Sequence, residues 1–445
     1  MTSVAQMEEQ LRFLLGERAN QLAKETGAVV RVREFDGAGL LQTLVFGFQQ
    51  HPEASLEQLA SMAQMAQANV TDTAVHERFT EALATFLHRM LQEMTSVVVQ
   101  GERQVPVGLL RRFRVVMLED SSTISLPDEL VQAWQGCGGN QSHTASAVKL
   151  HVRWELRRGQ LQGPSLSDGR PSDHASPFNE QPIVAGGLYI EDLGYFALQR
   201  LQQRQQAGAY SLTRYRVGTA LYSQQGQRLD LAHVLPPRVG QVKELPVLVG
   251  AKERLPMRLL LLRVPREVGD ERRADLLRDA QRRQQTVSEE VLRLADWTLL
   301  LTDAPRKRLR LEEALVLLRE RWQMELLYKL WKQYGQVDES RSHHRWRILC
   351  ELYAKLIGLL LQHWLIVLFR WHDPQRSLVK LAGVMRDTGW TIMEALSGKR
   401  RLRNALRTIQ QRMSAGCQMN TRGKRPNSAQ LLQRGRPEWA LSWCE

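Results

Sequence analysis

The sequence predicts an α/β protein that is helical at both ends and strand-rich in the middle. Three observations predict it. Apolar residues recur at helical spacing through residues 1 to 105. From Phe113 short apolar runs take over, two of them ending in an aspartate, Asp120 and Asp192. After Lys332 the helical period returns. At 445 residues the chain is longer than an average single domain, and 43% hydrophobic with 24% charged residues is the composition of a folded protein.

The elements follow in order. "AVVRVREF" reads as an extended piece among the first helices. Ser55 with Gln58 forms a capping box opening a helix whose apolar side is Leu56, Leu59 and Ala63. Thr71 and Asp72 start a second helix with Val75, Phe79 and Leu83 inward. The pair is either a helix-turn-helix within 55–90 that aims His76 and Arg78 at DNA, or a plain helical hairpin. "FRVVMLEDSSTISLP" is a buried strand with Asp120 at or near its end. "VKLHVRWEL" alternates, as a half-buried strand does, and turns at "RRGQ" into a hairpin partner, "LQGPSLSDG". A further strand ends at Asp192, with a helix soon after Gly194. Strand-like pieces continue to Val264, a charged helix covers about Asp270 to Ala295, and "WTLLLT" leads into a helix carrying "LLRERWQMELLYKLWK". On a straight helix Leu318, Arg321, Glu325 and Lys332 share an arc of roughly 60°, with Leu326, Leu327 and Leu330 turned away. The chain closes on the basic "SGKRRLRNALRTIQQRM" and a polar tail.

Charge narrows the function. With 61 Lys+Arg against 47 Asp+Glu, the net +14 favours a polyanionic partner, nucleic acid before an anionic membrane. The four cysteines (Cys137, Cys350, Cys417, Cys444) form no CxxC pair and no zinc-like spacing, as expected of a reducing compartment, and the adjacent His343 and His344 read as surface. The N-terminus carries acids where a secretory signal has none, and the most apolar run, Leu356 to Phe369, reads as too short to span a bilayer. The expected partner is DNA or RNA in the cytoplasm, without membrane.

Three acids stand out by context: Asp120 and Asp192 at strand ends, and Glu325 on a helix. Converging carboxylates repel one another unless cations intervene, and oxygen-only donors select Mg²⁺ or Mn²⁺ over zinc. Two such ions roughly 4 Å apart clamp the attacking and leaving oxygens of a phosphoryl transfer. Either aspartate taken alone reads equally as a turn cap.

The order strand-Asp, hairpin, strand-Asp, β-rich segment, helix-Glu resembles a DDE transposase, and more narrowly the insertion-sequence-four family. That family's signature Y-x2-R-x3-E-x6-K is matched by Arg321, Glu325 and Lys332, with Leu318 at the tyrosine position. "LEDSSTISLP" is similar to the first-aspartate motif and "DLGYF" to the second. The resemblance implies a ribonuclease-H-like catalytic core at 106–340 with a β-rich insertion at about 218–303. It also implies an N-terminal helical DNA-binding region at 1–105 and a C-terminal helical region at 341–445 with dimer contacts and a basic tail. By the same likeness Asp120 would bridge two Mg²⁺ ions (Mn²⁺ substituting), with Asp192 and Glu325 each completing one site. Arg321 and Lys332 would hold DNA-end phosphates. Trp297 would receive a flipped base, unless it is simply a core tryptophan at a strand start. The implied partners are double-stranded DNA, as terminal inverted repeats and target, and a second copy in a synaptic homodimer. The implied activity is cut-and-paste transposition through a hairpin. The rivals are a decayed DNA-binding protein, supported by Leu318, and a nuclease on the same core.

Overall fold

The computed structural model describes residues 2–136, 145–171, 175–282, 284–396, 398–421 and 426–435. Cys137, Cys444 and the end of the polar tail lie outside them. The chain forms two compact units. One comprises Met1–Pro106, Ser121–Pro171 and Glu325–Met419; the other comprises Val107–Asp120, Ser172–Met324 and Asn420–Glu445.

In the first unit, helices Gly37–Gln50 and Glu81–Ser96 pack on the 26-residue helix Arg345–Arg370. That helix is longer than its apolar run suggested, and by length and composition it could cross a bilayer. Burial decides its role, since 94% of its apolar window lies inside the protein. The capping box at Ser55 and Gln58 forms as read. The helix expected from Thr71 is broken: Thr71 caps only Asp72–His76, and Thr80 caps a new helix, Glu81–Ser96. A second hydroxyl that can accept from Leu83 N, at 3.3 Å, ends the first helix by starting another. Val75, Phe79 and Leu83 are buried, as expected. "AVVRVREF" forms no strand; Val29 and Phe35 anchor it while Val30 and Val32 face solvent.

Strands β1 (Val116–Leu126), β2 (Ser146–Glu155) and β3 (Leu161–Asp168) lie in the order β3-β2-β1 in this unit, β1 entering it at Ser121. β2 and β3 form the expected antiparallel hairpin, Trp154 opposite Leu161. β2 is buried along its whole length rather than on one face. Its polar side chains are therefore partnered: Lys149 Nζ donates to Pro171 O at 2.6 Å, His151 Nε2 lies 2.9 Å from Ser167 Oγ, and Glu155 accepts from the backbone N–H groups of Arg157 and Arg158.

In the second unit β1 joins β4 (Leu188–Glu191), β5 (Tyr210–Arg214), β6 (Leu221–Tyr222), β7 (Val242–Val249), β8 (Leu255–Arg263) and β9 (Trp297–Thr302), in the order β1-β4-β5-β9-β8-β7-β6. The first three run parallel and the rest pair antiparallel, so the β-rich segment extends a parallel sheet. Leu201, Leu255, Leu259, Leu261, Leu299 and Leu301 form part of its core. The charged helix is two helices, Arg266–Arg282 and Glu289–Leu294, because Ser288 caps the second.

The signature segment is also not one straight helix. Helix Leu311–Glu320 ends in a turn at Arg321, Trp322–Lys329 follows, and Leu330–Tyr334 is wound as a π turn. The 60° arc of the sequence reading holds only for a straight helix, and a π turn shifts the phase at Lys332. Leu327 and Leu330 are buried as expected, whereas Leu326 is half-buried.

Candidate carboxylate site

Parallel pairing builds the site. β1 and β4 are in register from Val116 opposite Leu188 to Glu119 opposite Glu191. Asp120 and Asp192 are each the next residue, so they occupy matching positions on adjacent strands. β1 runs on to Leu126, which places Asp120 within the strand rather than at its end. Asp192 leaves β4 at the cap position of the short turn Leu193–Tyr195. Both mark the carboxyl end of a parallel pair, the place where α/β sheets bind ligands.

Strand alternation turns the preceding residues, Glu119 and Glu191, to the opposite face. Both are buried, and helix Leu198–Gln206 answers them with two arginines one turn apart. Arg200 Nη2 lies 2.8 Å from Glu119 Oε2 and 3.1 Å from Glu191 Oε1. Arg204 makes a two-pronged contact with Glu191, 2.8 Å at Nη1, and its guanidinium lies 4.5 Å from the Tyr189 ring centre. Burial works against the charge of Arg204, but Glu191 outweighs it and raises the pKa above the usual arginine value. The sequence reading missed this layer. Its signal was present: "LED" and "IED" each put a glutamate before the aspartate, and Arg200 and Arg204 are four residues apart.

Arg321 brings the two aspartates together. Its Nη1 is 3.8 Å from Asp120 Oδ2 and its Nε 3.6 Å from Asp192 Oδ1. These separations are Coulombic rather than hydrogen-bonded. The Asp120 and Arg321 side chains are each 16% exposed and that of Asp192 is 37% exposed, so the cluster opens to solvent on the Asp192 side.

The other expected residues are placed as follows. Glu325 is half-buried in the first turn of Trp322–Lys329, and the chain enters the first unit at this residue. Lys332 Nζ donates to Thr123 O of β1 at 3.1 Å, within that unit. Trp297 opens β9, which is antiparallel to β5, so it lies at the same sheet end as Asp192. Asp192 is level with Arg214 and so with Leu300, which puts Trp297 two strand spacings across and three residues further along, on the order of 14 Å away. Its indole N–H donates to Pro236 O at 2.9 Å, Arg263 covers the ring at 3.9 Å, and with Leu299 and Leu301 it packs on the Glu191 face of the sheet, opposite the one that Asp120 and Asp192 occupy. Arg78 follows helix Asp72–His76, half-buried, 5.9 Å from the Phe35 ring centre.

Among the described residues no three His, Cys, Asp or Glu side chains are grouped to hold a metal ion. The Asp120–Asp192 pair nonetheless suits a hard divalent cation. Its donors are oxygen only, and the guanidinium of Arg321 supplies the shared positive charge that such a cation would bring.

A family model described as "Transposase DDE domain" matches residues 111–361, a span that includes Asp120, Asp192, Arg321, Glu325 and Lys332. The transposase for insertion sequence element IS231B of Bacillus thuringiensis subsp. berliner is 24% identical over 378 residues, covering 80% of this chain and 78% of that protein. The transposase for IS1151 of Clostridium perfringens is 23% identical over 367 residues, covering 77% and 76%. A cryo-EM structure of a piggyBac transposase synaptic complex with hairpin DNA aligns with 95% of this chain and 87% of that one, at 8% identity and a TM-score of 0.44. The matched domain takes in more than half of the chain, which therefore belongs to the DDE transposases, metal-dependent polynucleotidyl transferases, here with a mixed α/β sheet and helical flanks.

Proposed function

We propose that the chain cuts its element from donor DNA at the terminal inverted repeats and joins the freed ends to target DNA. The observation that carries this reading is the matched placement of Asp120 and Asp192 on β1 and β4 with Arg321 between them, in a chain of this family. Glu325, four residues beyond Arg321, supplies the third carboxylate. The proposed ion is Mg²⁺, with Mn²⁺ as substitute; Asp120 would serve two ions, and Asp192 and Glu325 one each. When bound, such a pair stabilises the attacking and leaving oxygens of an in-line displacement.

The side chains position and neutralise. Arg321, relieved of the carboxylates, would turn to an end phosphate, and Lys332 would hold its neighbour. Trp297 would stack a displaced base once Arg263 vacates its ring. Arg78 would contact DNA from the N-terminal region. Four displacements follow from one site. Water attacks the end phosphorus and the bond to the 3′ oxygen breaks, leaving a 3′-OH. That hydroxyl attacks the opposite strand, closing a hairpin and releasing flanking DNA. Water reopens the hairpin, and the same 3′-OH then attacks a target phosphorus as a target 3′-OH departs. Two copies would hold the paired ends, with 341–445 as the dimer contact, acting on nucleoid DNA in the cytoplasm.

The test supplies purified protein, Mg²⁺, a pre-cut end bearing a free 3′-OH and a supercoiled target. Joined products are expected, and chelation should abolish them. Asp120→Asn, Asp192→Asn and Glu325→Gln, each folded by circular dichroism, should each lower joining by at least about 100-fold. Cleavage without joining would make the chain a nuclease. Binding without either reaction would favour the decayed reading, which Leu318 at the signature tyrosine position supports.

A further inference from the structure

The helix Lys399–Ser414 lies outside the matched domain and carries six basic residues and no acid. Leu402, Leu406, Ile409 and Met413 are each 0% exposed and fall within an arc of roughly 60°, seating the helix in the first unit. Arg400, Arg401, Arg403, Arg407 and Arg412 are exposed on the other half of its circumference. Arg403 Nε donates to the Glu8 carboxylate at 3.1 Å. Arg400, Arg401, Arg407 and Arg412 make no ion pair among the described residues.

Helix Arg266–Arg282 shows the usual alternative. Its five arginines share the helix with five acids, and Arg273–Asp270, Arg278–Asp275 and Arg282–Asp279 pair one turn apart. That surface neutralises itself. Among the described residues, the Lys399–Ser414 surface leaves four arginines without an acid.

We propose that the exposed face of helix Lys399–Ser414 is a sequence-independent contact surface for DNA phosphates. The proposal rests on the reading that the chain acts on DNA. Arg401 and Arg412 are about 16 Å apart along the axis, roughly five base-pair steps, so one face can meet several phosphates. Guanidinium groups suit that role because they bind phosphate oxygens in pairs. An anionic membrane is the poorer occupant, since the apolar stripe that would enter lipid is already buried.

The experiment compares full-length protein with the variant R400Q/R401Q/R407Q/R412Q, using fluorescence anisotropy on a duplex of unrelated sequence. Affinity should fall at least 10-fold at moderate salt. The slope of log K against log salt should flatten by up to about 3.6, near 0.9 for each phosphate no longer neutralised. The four-lysine counterpart should keep most of the slope. If the quadruple variant fails to fold, Arg407→Glu alone should weaken binding at least threefold. Unchanged affinity and slope in a folded variant would overturn the proposal. So would arginine-dependent binding to phosphatidylserine vesicles with DNA binding intact. Asp120→Asn separates the two readings: it should bind DNA as wild type does while losing end joining. Wild-type protein that never joins ends but loses DNA affinity in the quadruple variant would leave this surface standing and overturn the catalytic reading.

Discussion

Glu119 and Glu191 are acids with almost no solvent, and Arg200 and Arg204 pair with them. Replacing one partner of a buried pair strands the other, at a typical cost of about 3–5 kcal/mol. Arg204→Met leaves Glu191 only the contact with Arg200, which Glu119 shares, so it should lower unfolding stability by up to that amount in urea titration. The double variant R204M/E191M should recover much of the loss, because the charges left buried, Arg200 and Glu119, still pair with each other. A loss under 1 kcal/mol for the single variant would mean that Arg200 alone suffices for both acids. At this scale the sequence displayed every participant but not which acid meets which partner. "LED" and "IED" present two acids each, and which one faces a cation is fixed by strand parity and by the helix across the sheet. Arg321 is a similar case: the signature spacing singles it out, and only the fold reveals that it faces Asp120 and Asp192.

Elements obey their local signals until a neighbour intervenes. The β2–β3 hairpin was legible from its alternation and its Gly turn, but β2 is buried on both faces. Its turn is held by helix Arg345–Arg370 and the residues after it. Gly159 has φ +78, and a Cβ there would lie 2.4 Å from the Trp371 ring. Gly159→Ala should cost roughly 2–4 kcal/mol through backbone strain and overpacking, read as a lowered thermal midpoint. The Gly159 carbonyl lies 2.9 Å from His363 Nε2. Burial first, and the charge of Arg376 last, push the His363 pKa down to about 4, although the carbonyl bond opposes them. The unfolded chain, with a histidine near 6.5, binds this proton more readily. His363 thus contributes stability that is complete above about pH 6.5 and is lost as pH falls toward 4, up to roughly 3 kcal/mol. Denaturant midpoints measured from pH 7 to 4 should decline in that window, and His363→Gln should flatten its share of the decline.

Across the whole chain, the +14 charge is distributed unevenly: helix Arg266–Arg282 cancels its own, while helix Lys399–Ser414 does not. Nonspecific DNA affinity should accordingly fall steeply with salt, by roughly 10³ or more between 50 and 200 mM if six or more phosphates are met. A filter-binding series checks this, and a shallow slope would show that most of the positive charge lies away from the DNA. The chain's path is also a whole-molecule property. It passes between its two units five times, two of them within β1 and after Met324. No local composition change marks either point, because segments distant in sequence share each unit.

What the sequence determined by itself was the inventory: helical flanks, strands of the middle region, three carboxylates in context, and a signature spacing specific enough to indicate the family. These are periodic or short-range features, and period and spacing are visible in one dimension. The tertiary structure alone decided which residues meet. Strand register set Asp120 beside Asp192, a helix across the sheet engaged Glu119 and Glu191, and breaks at Arg321 and Leu330 interrupted a helix that propensity would have kept straight. Each depends on contacts between residues far apart in the chain, whose burial outweighs the tenths of a kcal/mol that local preference provides.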